Sequence, residues 1–173
     1  MNNNRGSVQA ENANTILNFE GRNEFQNNVD PTGVEAETLF NKGTTNFNAN
    51  SETIFSGNKL DIKNKGIINI EDNAVVRLDA GMSGNGTVNI AGTLNGRVVE
   101  DNSIVLNEGG TWNVAGESVV AGIVVNGGAT ISGEEGSSLV FDDEEITNAE
   151  KYLIEHKSGI LKIKNIYVEN TKK

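Results

Sequence analysis

Residues able to do chemistry are sparse in this chain. Its 173 residues include one histidine, His156, and no cysteine. A Ser-His-Asp triad therefore has a single candidate base, and neither a thiol nor a multi-histidine zinc site can be assembled. Asp142-Asp143-Glu144-Glu145 is the densest carboxylate run. Calcium collects about six to eight oxygen ligands, yet consecutive strand residues face opposite ways and the alternating acid spacing of a calcium loop is missing, which favours a solvated loop. Polysaccharide-cleaving enzymes need two carboxylates, or a carboxylate and a base, converging in a groove, whereas Arg77, Asp79, Arg97 and Asp101 are scattered. Thr44, Thr87 and Thr111 each follow a glycine and suggest the hydroxyl row of an ice-binding face, but Ile67 interrupts it. Trp112 falls at an inward position, where core packing is a simpler role than sugar stacking. No catalytic residue, cofactor or metal site is expected.

What organises the chain is a repeat. Gly43-Thr44-Thr45-Asn46-Phe47, Gly66-Ile67-Ile68-Asn69-Ile70, Gly86-Thr87-Val88-Asn89-Ile90, Gly110-Thr111-Trp112-Asn113-Val114 and Gly127-Gly128-Ala129-Thr130-Ile131 share one order: glycine, any residue, small or apolar, Asn or Thr, apolar. The glycines stand 23, 20, 24 and 17 residues apart, a mean of 21, and a period of this size marks a solenoid or array. Each period holds short apolar-alternating runs such as Val75-Val76-Arg77-Leu78 between Gly, Asn, Asp and Ser, with no room for a helix. Three short strands and three turns per period make the coil of a single-stranded parallel β-helix, an all-β fold with about 21 residues per coil and roughly seven coils between Leu17 and Val168.

Alternation assigns the faces. Thr45, Ile68, Val88, Trp112 and Ala129 form one inward row, and Phe47, Ile70, Ile90, Val114 and Ile131 the next. Asn46, Asn69, Asn89, Asn113 and Thr130 form an outward ladder in which amides of adjacent coils pair. The repeat glycine is expected to adopt the positive φ of a sharp corner. Residues 1–14 read as an irregular lead-in. The β-helix then runs over 15–173, with a loop at 29–37 around the only proline, Pro31, and an irregular segment at 142–158. With no convincing polar cap, the chain reads as a segment of a longer solenoid, or as one whose ends stack on partners.

Composition agrees. Only 36% of residues are hydrophobic and 5% aromatic, too few large apolar side chains for an ordinary two-layer globule, so the core must be thin and repetitive. A net charge of −10, from 14 basic and 24 acidic residues, excludes nucleic acid, which needs clustered Lys and Arg. It also argues against an anionic membrane surface. No apolar run reaches the ~20 residues of a membrane-spanning helix. Met1 to Gly6 lack the apolar centre of a secretory signal.

The runs Gly84-Asn85-Gly86-Thr87-Val88-Asn89-Ile90-Ala91-Gly92-Thr93-Leu94-Asn95-Gly96 and Gly109-Gly110-Thr111-Trp112-Asn113-Val114-Ala115-Gly116 resemble the repeats of autotransporter passenger domains, including pertactin-like and self-associating adhesins. The resemblance covers about residues 43–141. It implies a right-handed β-helix displayed outside a bacterial cell, acting in virulence and cell adhesion as a non-enzymatic adhesin or stalk. The implied partners are a host-surface protein or glycan, or another rod of the same kind. The alternative is a phage or viral tail-fibre β-helix that binds or cleaves surface polysaccharide.

Overall fold

The computed structural model describes residues 8–26, 37–133, 137–141 and 166–170. The loop expected at 29–37 and the segment 142–158, with His156 and the acidic run, lie almost wholly outside the described residues. The chain is a parallel β-helix: every strand pair is parallel, and each strand pairs with its counterpart in the neighbouring coil.

Each coil visits three faces. The first carries β1 (Val8–Ala10), β4 (Glu37–Asn41), β7 (Leu60–Asn64) and β10 (Met82–Gly84). The second is a six-stranded sheet of β2 (Ile16–Phe19), β5 (Thr44–Phe47), β8 (Ile67–Ile70), β11 (Thr87–Ile90), β13 (Ser103–Leu106) and β16 (Gly122–Val125). The third, also six-stranded, holds β3 (Arg22–Gln26), β6 (Glu52–Ser56), β9 (Val75–Arg77), β12 (Thr93–Asn95), β14 (Thr111–Val114) and β17 (Thr130–Gly133). Beyond β10 the first face narrows to a single bridge, Met82 to Val98. It then widens into β15 (Glu117–Val120), β18 (Ser137–Phe141) and β19 (Ile166–Asn170), linked by the Val119 N–H donating to the Val98 carbonyl at 2.9 Å.

Along the second face Ile16, Thr44, Ile67, Thr87, Ser103 and Gly122 are successive partners, so coils take 28, 23, 20, 16 and then 19 residues. The rod is therefore less regular than a uniform period of 21. Stacking satisfies backbone groups between coils and lets three thin sheets bury one face each against a common lumen. Phe47, Ile68, Ile70, Val88, Ile90, Leu94 and Trp112 are all buried there. Rings stack between coils as well, Phe19 on Phe47 at 5.2 Å and Phe25 on Phe55 at 4.9 Å.

The register corrects two of the expected rows. Phe47, Ile70 and Ile90 do stack, as do Ile68 and Val88, but the next partners are Leu106 and Ile104, not Val114 and Trp112. Trp112 lies on the third face between Leu94 and Ile131, and Val114 is beside Gly133. The cause is the 16-residue coil: its first-face strand is one residue, Val98, and leaves no alternating run. Gly110 consequently sits at the corner between second and third faces, whereas Gly43, Gly66 and Gly86 sit between first and second.

The repeat glycines also have a different reason for being glycine. Positive φ occurs at Gly21, Gly57 and Gly96 among others, but not at Gly43, Gly66, Gly86 or Gly110. A Cβ on Gly66 would lie 2.1 Å from the Gly43 carbonyl oxygen, and one on Gly110 would lie 2.1 Å from that of Ile90. Close approach of coils, not turn geometry, excludes a side chain. Left-handed backbone appears instead at Asn50, Asn73, Gly109 and Gly128, each the third residue of a turn from the second to the third face, as in Ser51 N–H to Asn48 O at 3.0 Å.

Inside the first corner a further ladder runs through the lumen. Asn41 Nδ2 donates to Asn64 Oδ1 at 2.9 Å and Asn64 Nδ2 to Asn102 Oδ1 at 3.2 Å, all three residues being fully buried. Each amide also braces the next coil, Asn41 Nδ2 reaching Ile67 O at 2.9 Å and Asn64 Nδ2 reaching Thr87 O at 3.3 Å. The ladder stops because Ala10 pairs with Asn41, and Asn41 Oδ1 is buried with no hydrogen-bond partner. Ala10→Asn extends the series and supplies the missing donor. It is expected to stabilise by about 1 kcal/mol, read as a rise in Tm of about 2–4 °C; a fall would show that the first coil cannot hold the amide.

Candidate functional site

The third face presents two outward rows. Arg22, Glu52, Val75, Thr93, Thr111 and Thr130 form one; Glu24, Ile54, Arg77, Asn95, Asn113 and Ser132 form the other. Beside the second row runs an open groove of about 490 Å³, spanning four coils and lined by Arg77, Asn95, Asn113 and Ser132 with Leu78, Gly96, Val114, Ala115 and Gly133. Gly96 keeps its floor low: φ there is +140° and a Cβ would meet the Leu78 Cβ at 2.7 Å. Below it the Trp112 indole N–H donates to the Gly96 carbonyl at 3.0 Å, anchoring the buried ring under the groove.

The groove wall is a hydrogen-bonded ladder. Ser132 Oγ donates to Asn113 Oδ1, and Asn113 Nδ2 donates to Asn95 Oδ1 at 2.7 Å. Asn95 Nδ2 then makes no hydrogen bond among the described residues. Arg77 is the only charged residue in the lining among the described residues. Its side chain is 53% exposed, and its Nε lies 3.6 Å from Glu52. Glu52 also faces Arg22 at 3.3 Å, while Arg22 pairs with Glu24 at 2.7 Å. Two cations and two anions thus balance at that end.

The expected ladder residues divide between two faces. Asn46, Asn69 and Asn89 form a continuous series with Asn18: Asn46 to Asn18, Asn69 to Asn46 and Asn89 to Asn69, each 2.8 Å. Val105 follows Asn89, so Asn113 belongs to the other ladder. Thr130 lies beside Thr111, one row from the Asn113 series, which Ser132 continues. The threonines split likewise: Thr44 and Thr87 flank Ile67 on the second face, whereas Thr93, Thr111 and Thr130 make an unbroken row on the third. The inner Asn41–Asn64–Asn102 ladder was missed, although Asn-Lys-Gly recurs at 41–43 and 64–66 directly before the repeat motif.

The scattered charges do not converge. Asp79 Oδ2 accepts from the Gly57 N–H at 3.0 Å, and Arg97 Nε donates to the Ala80 carbonyl at 3.0 Å. Asp101 lies in a smaller cleft of about 300 Å³ with Lys63, Lys65 and Glu100, where Glu100 Oε2 accepts from the Gly84 N–H at 2.8 Å. No group of three or more metal-ligating side chains occurs among the described residues.

Asp61 is the carboxylate most altered by its surroundings. It is fully buried, and burial pushes its pKa above the ordinary 3.8, against hydrogen bonds from Asn58, Gly81 and Ala80 that pull it down. The folded chain therefore holds this proton more tightly than the unfolded chain. The stability it contributes is full below 3.8 and is lost as pH rises through the higher folded value. Asp61→Asn cannot ionise, so the urea midpoint of the wild type is expected to gain on that of the variant as pH falls from about 7 to about 4. A constant difference would place the folded pKa at its ordinary value.

No protein-family model, curated protein or solved structure matches the chain.

Proposed function

We propose that the chain is a non-enzymatic, surface-displayed β-solenoid of the autotransporter passenger type, serving as an adhesin or stalk segment that holds a surface glycan along its third face. The observation that carries this reading is the groove itself, which follows the rod across four successive coils and sets the polar groups of Arg77, Asn95, Asn113 and Ser132 beside the apolar Leu78 and Val114. Such groups suit the hydroxyls of an extended polymer, and repetition over coils adds many weak contacts. The stiff stack beneath them keeps the spacing fixed, so little ordering entropy is lost on binding. Among the described residues that line the groove there is no carboxylate, which supports binding over the paired-acid chemistry of a glycoside hydrolase.

The test is retention on immobilised bacterial or host-surface polysaccharides together with an assay for new reducing ends. Retention without cleavage is expected. Released reducing ends would overturn the non-enzymatic reading, and failure to be retained on any surface glycan would overturn the glycan reading.

A further inference from the structure

The geometry points to an acidic glycan: we propose that Arg77 and Asn95 together select a sugar carboxylate at one end of the groove. The inference rests on the glycan reading above and names the class of sugar. Arg77 and Asn95 are direct partners on adjacent coils, so their side chains leave the same face about 4.8 Å apart. Within the ladder each donor group but one makes a hydrogen bond. Ser132 donates to Asn113 and Asn113 to Asn95, so the series ends in Asn95 Nδ2, which has no partner among the described residues.

The next position along the row is the Arg77 guanidinium. It makes no hydrogen bond among the described residues, and its one ionic neighbour, Glu52, stands at 3.6 Å and is shared with Arg22. One end of the groove is thus a cluster of donors whose one facing acceptor among the described residues is the Glu52 carboxylate, too far for a hydrogen bond and shared with Arg22. A carboxylate supplies two acceptor oxygens in the plane a guanidinium fork requires, with lone pairs left over for an amide N–H. A neutral hydroxyl lacks the second, coplanar acceptor oxygen that the fork matches, and it carries no charge. Glu52 is the internal competitor for the fork, and a bound carboxylate takes over part of its role. The net charge of −10 repels anions at long range, but screening limits that repulsion to about 8 Å at physiological salt, so the local contact decides.

The probes are tetragalacturonic acid and its fully methyl-esterified form, titrated by calorimetry at about 0.15 M salt. The acid is expected to bind roughly tenfold more tightly than the ester, as a charge-assisted bidentate contact allows. Arg77→Gln is expected to bring the acid's affinity down to that of the ester. Glu52→Gln, which releases Arg77, is expected to strengthen acid binding several-fold. Equal binding of acid and ester by the wild type, or binding of neither, overturns the acid selectivity, while the glycan reading stands or falls separately on retention by surface polysaccharides. An Arg77→Gln protein that keeps its preference for the acid, with an unchanged thermal melt, removes the assignment to Arg77.

Discussion

Ile90→Asp abolishes cooperative folding of the rod, whereas Asn89→Asp, one residue earlier, leaves it folded with a modest loss. Ile90 is fully buried, paired on one side with Ile70 and on the other with Leu106. Removing such a side chain costs about 2–5 kcal/mol through lost transfer energy and cavity formation. An ionised carboxylate left there has no partner, and its desolvation adds several kcal/mol more. The sum approaches the whole stability of a typical domain, about 5–15 kcal/mol. Asn89 is half-exposed and gives one amide bond to Asn69; turning that donor into an acceptor costs about 1–2 kcal/mol. Urea melts followed by far-ultraviolet circular dichroism distinguish the two. Similar midpoints for both variants would mean that the inner and outer faces have been exchanged.

Gly66→Ala is the second large effect, and it separates steric crowding from backbone conformation. The added Cβ would lie 2.1 Å from the Gly43 carbonyl oxygen, 2.7 Å from the Lys42 carbonyl carbon and 2.9 Å from the Gly43 nitrogen. These are backbone atoms of the preceding coil, tied into the stack by the Thr44 N–H to Thr15 O and Ile67 N–H to Gly43 O bonds at 2.9 and 2.8 Å. Neither coil can yield without breaking its ladder, so the loss is expected at about 3 kcal/mol or more, a fall in Tm of roughly 6–12 °C. Gly21 is the control. It has φ of +61°, yet no heavy atom lies within 4 Å of a Cβ built there, so Gly21→Ala should cost only about 1–2 kcal/mol of left-handed strain. A milder effect at Gly66 than at Gly21 would refute close approach as the reason for the repeat glycine.

How far the chain explained itself can be judged from particular residues. Phe47, Ile70 and Ile90 were placed correctly in one core row because the strands that carry them begin from the same glycine at the same corner. Trp112 and Val114 obey the same local rule, yet they lie on another face. Gly110 also answers a close approach, to Ile90 O at 2.1 Å, so the motif marks a tight corner without saying which one. The groove residues Asn95 and Ser132 escaped notice for the same reason. Neither carries the motif at its expected place, and each becomes significant only beside Asn113.

From sequence alone come the period, the all-β coil and the side of each strand that is buried, because the pleat turns alternate residues to opposite faces and that relation is local. Which residue lies above which was decided by the tertiary structure. Coil lengths vary from 28 to 16 residues along the second face, and the stack absorbs the variation by reducing the first face to Val98 where the chain is shortest. Register between coils is a non-local quantity, set by corner packing and backbone pairing between segments far apart in sequence. The groove, which draws residues from four coils, exists only once that register is set.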